Sequence, residues 1–374
     1  MKRLLIGIAL GAASLAFGSA PASATSALQT ASPTPLLAYY YIWFTPSSWG
    51  RAKIDYPVLG RYSSDDAGVM RQHVRWAKAA GIDGFLVSWK STPPLNDRLA
   101  RLIKVADAEH FHLGIVYEGL DFTRHPLPIK TVRHDLEQFA NTFAADRAFT
   151  IFDRPVVVWA GTWRYTNAQI RWATQNVSTK LRLLASAKQV ADYERVAPLF
   201  DGNAYYWSSV NPKRYTSYGD KLQAMASAIH ARKGLWIAPA APGFDSRKLG
   251  GTSTVPRLGG ATLRSELNTA AGSSPDAIGV ISWNEFSENT YVEPSKAYGN
   301  TELKVIADFR GARAPDTSSF DSDGTPIGQT PLGISNGIIG LAAGLAGLFA
   351  VVTIARHRRR RPPPPSLVKD SLGP

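Results

Sequence analysis

The sequence Ile281-Ser-Trp-Asn-Glu-Phe-Ser-Glu-Asn-Thr-Tyr-Val-Glu-Pro294 begins with apolar residues and continues as a polar segment that carries three carboxylates. The residues that lead into it, from Ile278 to Trp283, include the β-branched and aromatic side chains of a buried strand. A strand that ends in acids can deliver carboxylates to a loop. Cleavage of a glycosidic bond needs two carboxyl groups at one sugar. The stretch alone is equally compatible with an acidic surface turn, so the rest of the chain has to decide.

Seven further strand-like segments precede this one, and helical segments separate them. Most strands are apolar and bounded by Gly or Pro, as expected for strands covered on both faces. Eight such alternations predict an α/β fold, a (β/α)8 TIM barrel, rather than an open doubly wound sheet, because no G-x-G-x-x-G follows the first strand. The predicted strands are Leu37–Phe44, Gly84–Trp89, Leu113–Glu118, Val156–Gly161, Leu181–Ala187, Gly202–Trp207, Leu235–Ala240 and Ile278–Glu285. The predicted helices are Asp65–Ala80, Asn96–Glu109, Thr131–Ala145, Asn167–Asn176, Lys188–Ala197, Lys213–Arg232, Ala261–Ala271 and Thr301–Phe309.

The residues at the predicted strand ends favour a carbohydrate ligand. Active-site residues of such a barrel lie at the C-terminal ends of its strands. Aromatic rings stack on the apolar faces of sugars, and carboxylates bind their hydroxyl groups. Any single aromatic residue could instead belong to the core, but their combination with acids favours a binding site. The residues are Trp43, Trp89, Glu118, Trp159, Tyr206, Trp207 and Glu285.

Both ends of the chain have patterns typical of export and membrane attachment. Residues 1–24 combine Lys2-Arg3, an apolar run and Ala22-Ser-Ala24, which predicts a signal peptide. Residues 25–310 are the predicted barrel domain, and residues 311–330 have the composition of a flexible linker. Residues 331–355 carry no charge and are long enough for a transmembrane helix. A lipid-anchored form is less favoured, because basic residues follow that helix.

Residues 356–374 form a basic, Pro-rich tail, which predicts a cytoplasmic C-terminus and an extracytoplasmic barrel at the cell membrane. This tail also explains much of the net charge of +13. The body of the chain has no basic cluster, so we expect no nucleic-acid partner. The absence of Cys excludes disulfides. His110 and His112 are not accompanied by a carboxylate pattern, so we interpret them as structural and expect neither a metal nor a cofactor.

Four segments resemble glycoside hydrolase family 99, the endo-α-mannosidases and endo-α-1,2-mannanases. They are similar to the family in sequence and order, and they extend from the first predicted strand to the last. The last one also resembles the α-1,3-glucanases of family 71. Four positions depart from the family-99 pattern: Lys90 and Phe286, Ser287 and Asn289, where the family has Trp, Trp, His and Gly. The segments are Tyr40–Phe44, Pro57–Trp89, Pro242–Asp245 and Asn284–Pro294.

The resemblance implies an endo-acting hydrolase of α-mannosidic linkages that retains configuration through a 1,2-anhydro sugar, and the predicted transmembrane helix would anchor it to the membrane. Glu285 would be the base that deprotonates the 2-hydroxyl of the sugar, and Glu288 would protonate the departing oxygen and later deprotonate water. An α-1,3-glucanase-like hydrolase and a polysaccharide-binding barrel without activity are the alternatives.

Five further residues are predicted to bind the substrate. The family resemblance implies this role for Glu118 and Tyr206, although Glu118 could instead form a structural ion pair. Tyr41 and Trp89 are predicted wall residues. Asn284 is predicted to orient Glu285 or a sugar hydroxyl. Glu293 is predicted to be structural, since Pro294 follows it and the chain turns away there.

Overall fold

A computed structural model describes residues 34–51, 53–121, 123–211 and 214–317. The predicted signal peptide, transmembrane helix and cytoplasmic tail, and most of the predicted linker, lie outside these ranges. Within them, no helix combines the length and the apolar composition needed to cross a bilayer.

Eight parallel strands close into a barrel, which confirms the predicted architecture. The strands are β1 (Leu36–Tyr41), β2 (Gly84–Trp89), β3 (His112–Glu118), β4 (Val156–Ala160), β5 (Arg182–Ala185), β6 (Gly202–Ala204), β7 (Leu235–Ala240) and β10 (Ala277–Val280). Around the barrel the order is β1-β10-β7-β6-β5-β4-β3-β2, so the first and last strands of the barrel are neighbours. Leu36 pairs with Ile278 where the barrel closes.

Helices surround the barrel and alternate with its strands. The first helix begins after Asp66, whose carboxylate accepts hydrogen bonds from the backbone N–H groups of Gly68 and Val69. These donors of the first turn would otherwise have no partner within the helix. The helices are α1 (Ala67–Ala79), α2 (Pro93–Glu109), α3 (Ile129–Thr142), α4 (Asn167–Thr174), α5 (Val190–Val196), α6 (Tyr218–His230), α7 (Ala261–Gly272) and α8 (Thr301–Arg310).

Two separate apolar clusters follow from the alternation of side chains along each strand. In β2, Leu86 belongs to the cluster that fills the barrel, whereas Phe85 and Val87 belong to the cluster between the barrel and the helices. In β3, Val116 likewise lies inside, and Ile115 and Tyr117 lie outside. Side chains that continue the inner set beyond the last filled layer therefore reach the mouth of the barrel.

The structure differs from the sequence prediction mainly at strand ends. The sixth strand ends at Ala204 rather than Trp207, and the last strand ends at Val280 rather than Glu285. After Val280 the chain folds back on itself, because Ser282 N–H donates to the Thr290 carbonyl and Val292 N–H donates to the Ser282 carbonyl. A short antiparallel hairpin of β8 (Phe244–Asp245) and β9 (Thr254–Val255) was not predicted.

Candidate active site

The segment from Ser282 to Glu293 is a compact loop at the mouth of the barrel. The Ser282 hydroxyl accepts a hydrogen bond of 2.8 Å from the backbone N–H of Glu285. The Glu285 carboxylate in turn accepts one of 2.8 Å from the N–H of Ser287. Asp245, in the loop that follows β7, donates its N–H to the Glu288 carbonyl at 2.8 Å. These bonds fix the backbone on both sides of the two predicted catalytic acids.

Burial makes both of these acids weaker than ordinary carboxylic acids. Desolvation, and then the nearby charge of Glu288, raise the pKa of Glu285 to about 7. Desolvation also raises the pKa of Glu288, with a further increase from Glu118 and an opposing effect of Arg124. A base works best with a pKa near the working pH, and a carboxyl group with a raised pKa can hold a proton to donate. The environment therefore suits both groups to proton transfer.

Glu118, at the end of β3, lies near this pair with its carboxylate directed into the barrel mouth. Its Oε1 accepts a hydrogen bond of 2.7 Å from the Ser88 hydroxyl. Desolvation raises the pKa of Glu118, while Ser88, Lys90 and Arg124 oppose the increase. The hydrogen bond from Ser88 and the charges of Lys90 and Arg124 thus act on this carboxylate at the mouth, and the binding role of Glu118 stays a prediction.

Two tyrosines complete the floor of the site. The hydroxyl groups of Tyr41 and Tyr206 form a hydrogen bond with each other, and the ring of Tyr206 stacks on Tyr39 at 4.6 Å. Burial raises the pKa of Tyr41 well above its ordinary value, and the charges of Glu285 and Glu288 raise it further. Trp43, which is 38% exposed, stacks on Tyr41 at 4.4 Å and offers an open aromatic edge.

The structure thus brings together five of the seven predicted site residues. The charges of Glu285 and Glu288 raise the pKa of Tyr41, and those of Glu118 and Glu288 raise the pKa of Tyr206. Side chains from β1, β3 and the segments after β6 and β10 therefore converge at the C-terminal mouth, where the barrel architecture predicts an active site.

The predicted role of Trp89 as a wall residue does not fit its position. Trp89 is fully buried, and its ring packs against Phe139 of α3 at 5.8 Å, outside the barrel. Its indole N–H donates to Asn96 at 3.0 Å. Side chains alternate along a strand, so with Leu86 inside, Ser88 faces the mouth and Trp89 faces the helices.

Asn284 likewise makes hydrogen bonds within the protein and is not exposed to a ligand. It is fully buried, and its side-chain amide bonds the backbone of Tyr41 twice, accepting from the N–H at 2.8 Å and donating to the carbonyl at 3.0 Å. It also donates to the Tyr62 hydroxyl at 3.3 Å. Asn284 therefore ties the last loop to the end of β1 and positions Tyr41. The prediction that it contacts a sugar hydroxyl is not supported.

Glu293 lies below the site in a fully buried network. One of its oxygens is 3.0 Å from His73 Nε2, and the other accepts a hydrogen bond of 2.8 Å from the Tyr62 hydroxyl. The Tyr40 hydroxyl lies 3.0 Å from the other nitrogen of His73. Both oxygens of Glu293 are thus engaged by protein groups, as expected for a structural residue.

Two of the three departures from the family pattern in this loop have a structural explanation. Phe286 is buried and stacks on Tyr291 at 3.9 Å, so it is a packing residue. Asn289 has a φ of 56°, a conformation that Gly adopts freely and Asn tolerates. Ser287 replaces a larger His beside Glu285, and Lys53 Nζ lies 3.4 Å from its hydroxyl.

Several neighbours of the site were not singled out from the sequence. Ser88 could have been found from the alternation of β2. Lys53 and Arg124 lie in irregular loops, where no periodicity indicates which side chains approach the site. The charge of Lys53 lowers the pKa of Glu285, and that of Arg124 lowers those of Glu118 and Glu288.

The described part of the chain contains no group of three or more His, Asp or Glu side chains arranged to hold a metal ion. His110 ends α2, and His112 begins β3, so both lie at the opposite end of the barrel from the acids. The chemistry that the mouth can perform is proton transfer between carboxyl groups and a ligand with hydroxyl groups.

The sequence profile of glycosyl hydrolase family 99 matches residues 50–314. A glycoprotein endo-alpha-1,2-mannosidase from Rattus norvegicus is 24% identical over 285 residues, which cover 68% of this chain and 59% of the rat protein. An endo-alpha-1,2-mannosidase-like protein from Mus musculus is 23% identical over 267 residues, covering 64% of this chain and 57% of the mouse protein. The chain thus spans somewhat more than half the length of these relatives.

The fold is similar to that of an endo-alpha-mannosidase from Bacteroides thetaiotaomicron. The TM-score is 0.65 at 19% sequence identity, and the match covers 74% of this chain and 96% of the bacterial one. At this identity the similarity establishes the barrel fold alone.

Proposed function

Because the chain belongs to glycosyl hydrolase family 99, we propose that it is an endo-acting glycoside hydrolase that cleaves α-mannosidic linkages in a polysaccharide or glycan. The observation that carries the proposal is a pair of carboxyl groups, buried at Glu285 and half-buried at Glu288, beside Glu118 and two tyrosines at the barrel mouth. The α-mannosidase names of the rat and Bacteroides proteins support the choice of sugar.

In the first step, the Glu285 carboxylate takes the proton of the 2-hydroxyl of the sugar to be cleaved. The 2-oxygen attacks C1, and the bond from C1 to the departing oxygen breaks as Glu288 gives its proton to that oxygen. The product of this step is a 1,2-anhydro sugar. The pKa of about 7 supports Glu285 as a base near neutral pH, and the upward shift of the Glu288 pKa, caused by desolvation, favours its role as the proton donor.

In the second step, the Glu288 carboxylate takes a proton from a water molecule, whose oxygen attacks C1 and opens the anhydro ring. Glu285 returns its proton to the 2-oxygen. Two inversions at C1 give overall retention of configuration. Glu118, Tyr41 and Tyr206 bind hydroxyl groups of the same sugar and hold its 2-oxygen toward Glu285, while the exposed ring of Trp43 stacks on a neighbouring sugar.

Product analysis with a matched variant tests this function. The full-length protein and Glu288→Gln are incubated with α-mannans and α-1,3-glucan, and the released oligosaccharides are identified by mass spectrometry. We expect mannose oligomers from the parent alone. Glucose oligomers would support an α-1,3-glucanase. Binding without release from any polymer, over long incubation, would support a binding barrel without activity.

We further propose that the barrel is extracytoplasmic and anchored to the cell membrane by residues 331–355. The charged start and small-residue site of residues 1–24, and the basic residues after residue 355, support this topology. Fractionation of cells, followed by protease treatment of intact spheroplasts, tests it. The barrel should be degraded from outside while an epitope at the C-terminus is protected.

A further inference from the structure

A lysine lies between two exposed tryptophans beside the acidic centre. The loops after β4, β5 and β6 carry Trp163, Lys188 and Trp207 respectively. Lys188 Nζ lies 3.0 Å from the centre of the Trp207 ring and 5.0 Å from that of Trp163. Each tryptophan is 39% exposed and Lys188 is half-buried between them, so the surface of this group is accessible to a ligand.

The charges of two further cations act on Lys188. Desolvation, followed by the charges of Arg124 and Lys221, lowers the pKa of Lys188 to about 8. Lys221 itself lies 5.1 Å from the ring of Tyr205. Among the residues that the structure describes, no carboxylate lies within 4.0 Å of Lys188, Arg124 or Lys221. Asp192, exposed in the first turn of α5, is the acidic group whose charge acts on both lysines.

This basic cluster adjoins the site already described. The charge of Arg124 acts on Lys188 on one side and on both Glu118 and Glu288 on the other. A polymer bound across the barrel mouth with one sugar at Glu285 and Glu288 would therefore place a nearby sugar over the loops after β4 to β6.

The combination of rings and cations selects a particular ligand. An exposed tryptophan stacks on a sugar ring of any charge, whereas three neighbouring cations repel one another until an anion lies between them. A neutral glycan would meet this repulsion without relieving it. An acidic group on the glycan would relieve it and would form charge-assisted hydrogen bonds with Lys188 and Arg124.

We propose that Trp163, Lys188 and Trp207, together with Arg124 and Lys221, form a subsite for an anionic substituent of the glycan. The substituent is a phosphate ester or a uronic-acid carboxylate, which share the negative charge that the cations recognise. This inference rests on the proposed glycosidase function for the position of the polymer, but the recognition of an anion does not depend on cleavage.

Kinetics with matched substrates test the subsite. One neutral α-mannan is compared with the same mannan bearing phosphate monoesters and with one whose C6 positions are oxidised to carboxylates. Lys188→Gln and Arg124→Gln should lower the ratio of kcat/KM for an anionic over the neutral substrate by about tenfold each at low salt. Lys180→Gln removes the same charge at the opposite end of the barrel, where Lys180 bonds Asn141 at 3.1 Å, and should leave the ratio as in the parent.

The two anionic substrates separate the two sources of charge, because a preference for one alone identifies the substituent. Equal kcat/KM for neutral and anionic substrates in the parent, or an equal change in Lys180→Gln, would overturn the subsite while leaving the glycosidase function intact.

Binding to a variant without turnover keeps the test independent of cleavage. Isothermal titration of Glu288→Gln with methyl α-mannoside, mannose 6-phosphate and glucuronate compares neutral with anionic probes. We expect tighter binding of an anionic probe, and loss of this preference when Lys188→Gln is added. That result would support the subsite even if no polymer is cleaved, whereas equal binding of all three probes would overturn it.

Discussion

Glu285 and Glu293 lie in one loop and are both buried, yet their surroundings differ. The carboxylate of Glu293 is shared between His73 and Tyr62, so both of its oxygens have protein partners. The carboxylate of Glu285 has Ser287 as its hydrogen-bond partner, through the N–H at 2.8 Å and through the hydroxyl. Among the side-chain hydrogen bonds of the described ranges, none involves the Glu288 carboxylate. In this loop, both carboxylate oxygens of Glu293 are therefore bound by protein groups, whereas the carboxylates of Glu285 and Glu288 can still accept hydrogen bonds.

The difference teaches that burial alone does not identify a functional acid. Burying a carboxylate is costly unless hydrogen bonds or an opposite charge compensate it. Compensation is complete at Glu293 and incomplete at Glu285, and the raised pKa of Glu285 expresses that deficit. A ligand that supplies a proton or a hydroxyl group would remove it.

Replacement of Glu285 or Glu288 should have the largest effect on activity. We expect Glu285→Gln and Glu288→Gln each to lower kcat by a factor on the order of 10³ or more, since each removes a proton transfer from the mechanism. The far-ultraviolet circular dichroism should match that of the parent. Glu293→Gln, measured per folded molecule, should retain most of the activity. Comparable losses of kcat in all three variants would erase the distinction within the loop.

Replacement of the compensated acid should instead affect stability. Glu293→Gln places an amide among groups arranged around a carboxylate and leaves a buried partner unpaired, so we expect unfolding in urea to require about 2–4 kcal/mol less free energy. Glu194→Gln, the same isosteric change at an exposed position of α5, provides a comparison without a buried polar network. An unchanged midpoint for Glu293→Gln would show that this pairing contributes little.

The barrel itself could be predicted from the sequence because each strand and helix carries its own signal. Apolar runs such as Val156–Ala160 and the caps and faces of helices such as α1 are local properties. The convergence of Glu118, Tyr206 and Glu285 then follows from the architecture, since the C-terminal ends of all barrel strands meet at one mouth.

The position of Trp89 follows from side-chain alternation along β2, which the strand position alone does not include. A shift of one residue along a strand exchanges the barrel interior for its outer surface, so the prediction that Trp89 lines the site is wrong. The pairing of His73 with Glu293 spans 220 positions and has no local signal. The pKa of Glu285 was also beyond the sequence, because it depends on how the closed loop excludes water.

Because the buried charge of Glu285 is incompletely compensated, replacing this residue should stabilise the folded protein. The pKa of this carboxyl group rises from 4.5 to about 7 on folding, so the folded state disfavours the charged form. The cost is absent below pH 4.5, grows between pH 4.5 and about 7, and is complete above that range. Glu285→Gln should therefore raise the free energy of unfolding by about 1–3 kcal/mol at pH 8 and by little at pH 4.5. Urea titrations at both pH values measure this. A destabilised variant at pH 8 would mean that Glu285 is compensated after all.

Lys53 offers the finest test, because it is the cation that partly compensates Glu285. A base with a pKa of about 7 is protonated and inactive below that pH, so kcat/KM of the parent should fall as the pH drops below about 7. The charge of Lys53 lowers the pKa of Glu285, whereas Glu288 raises it. Lys53→Met should therefore move the midpoint of this acid limb to higher pH, and Lys53→Arg should keep the midpoint of the parent.

Since Lys53 Nζ also donates to the Ser48 carbonyl at 2.7 Å, thermal unfolding of both variants shows whether the protein remains folded. A midpoint that stays in place, in a folded Lys53→Met variant, would assign the acid limb to a group other than Glu285 and would remove the contrast with Glu293.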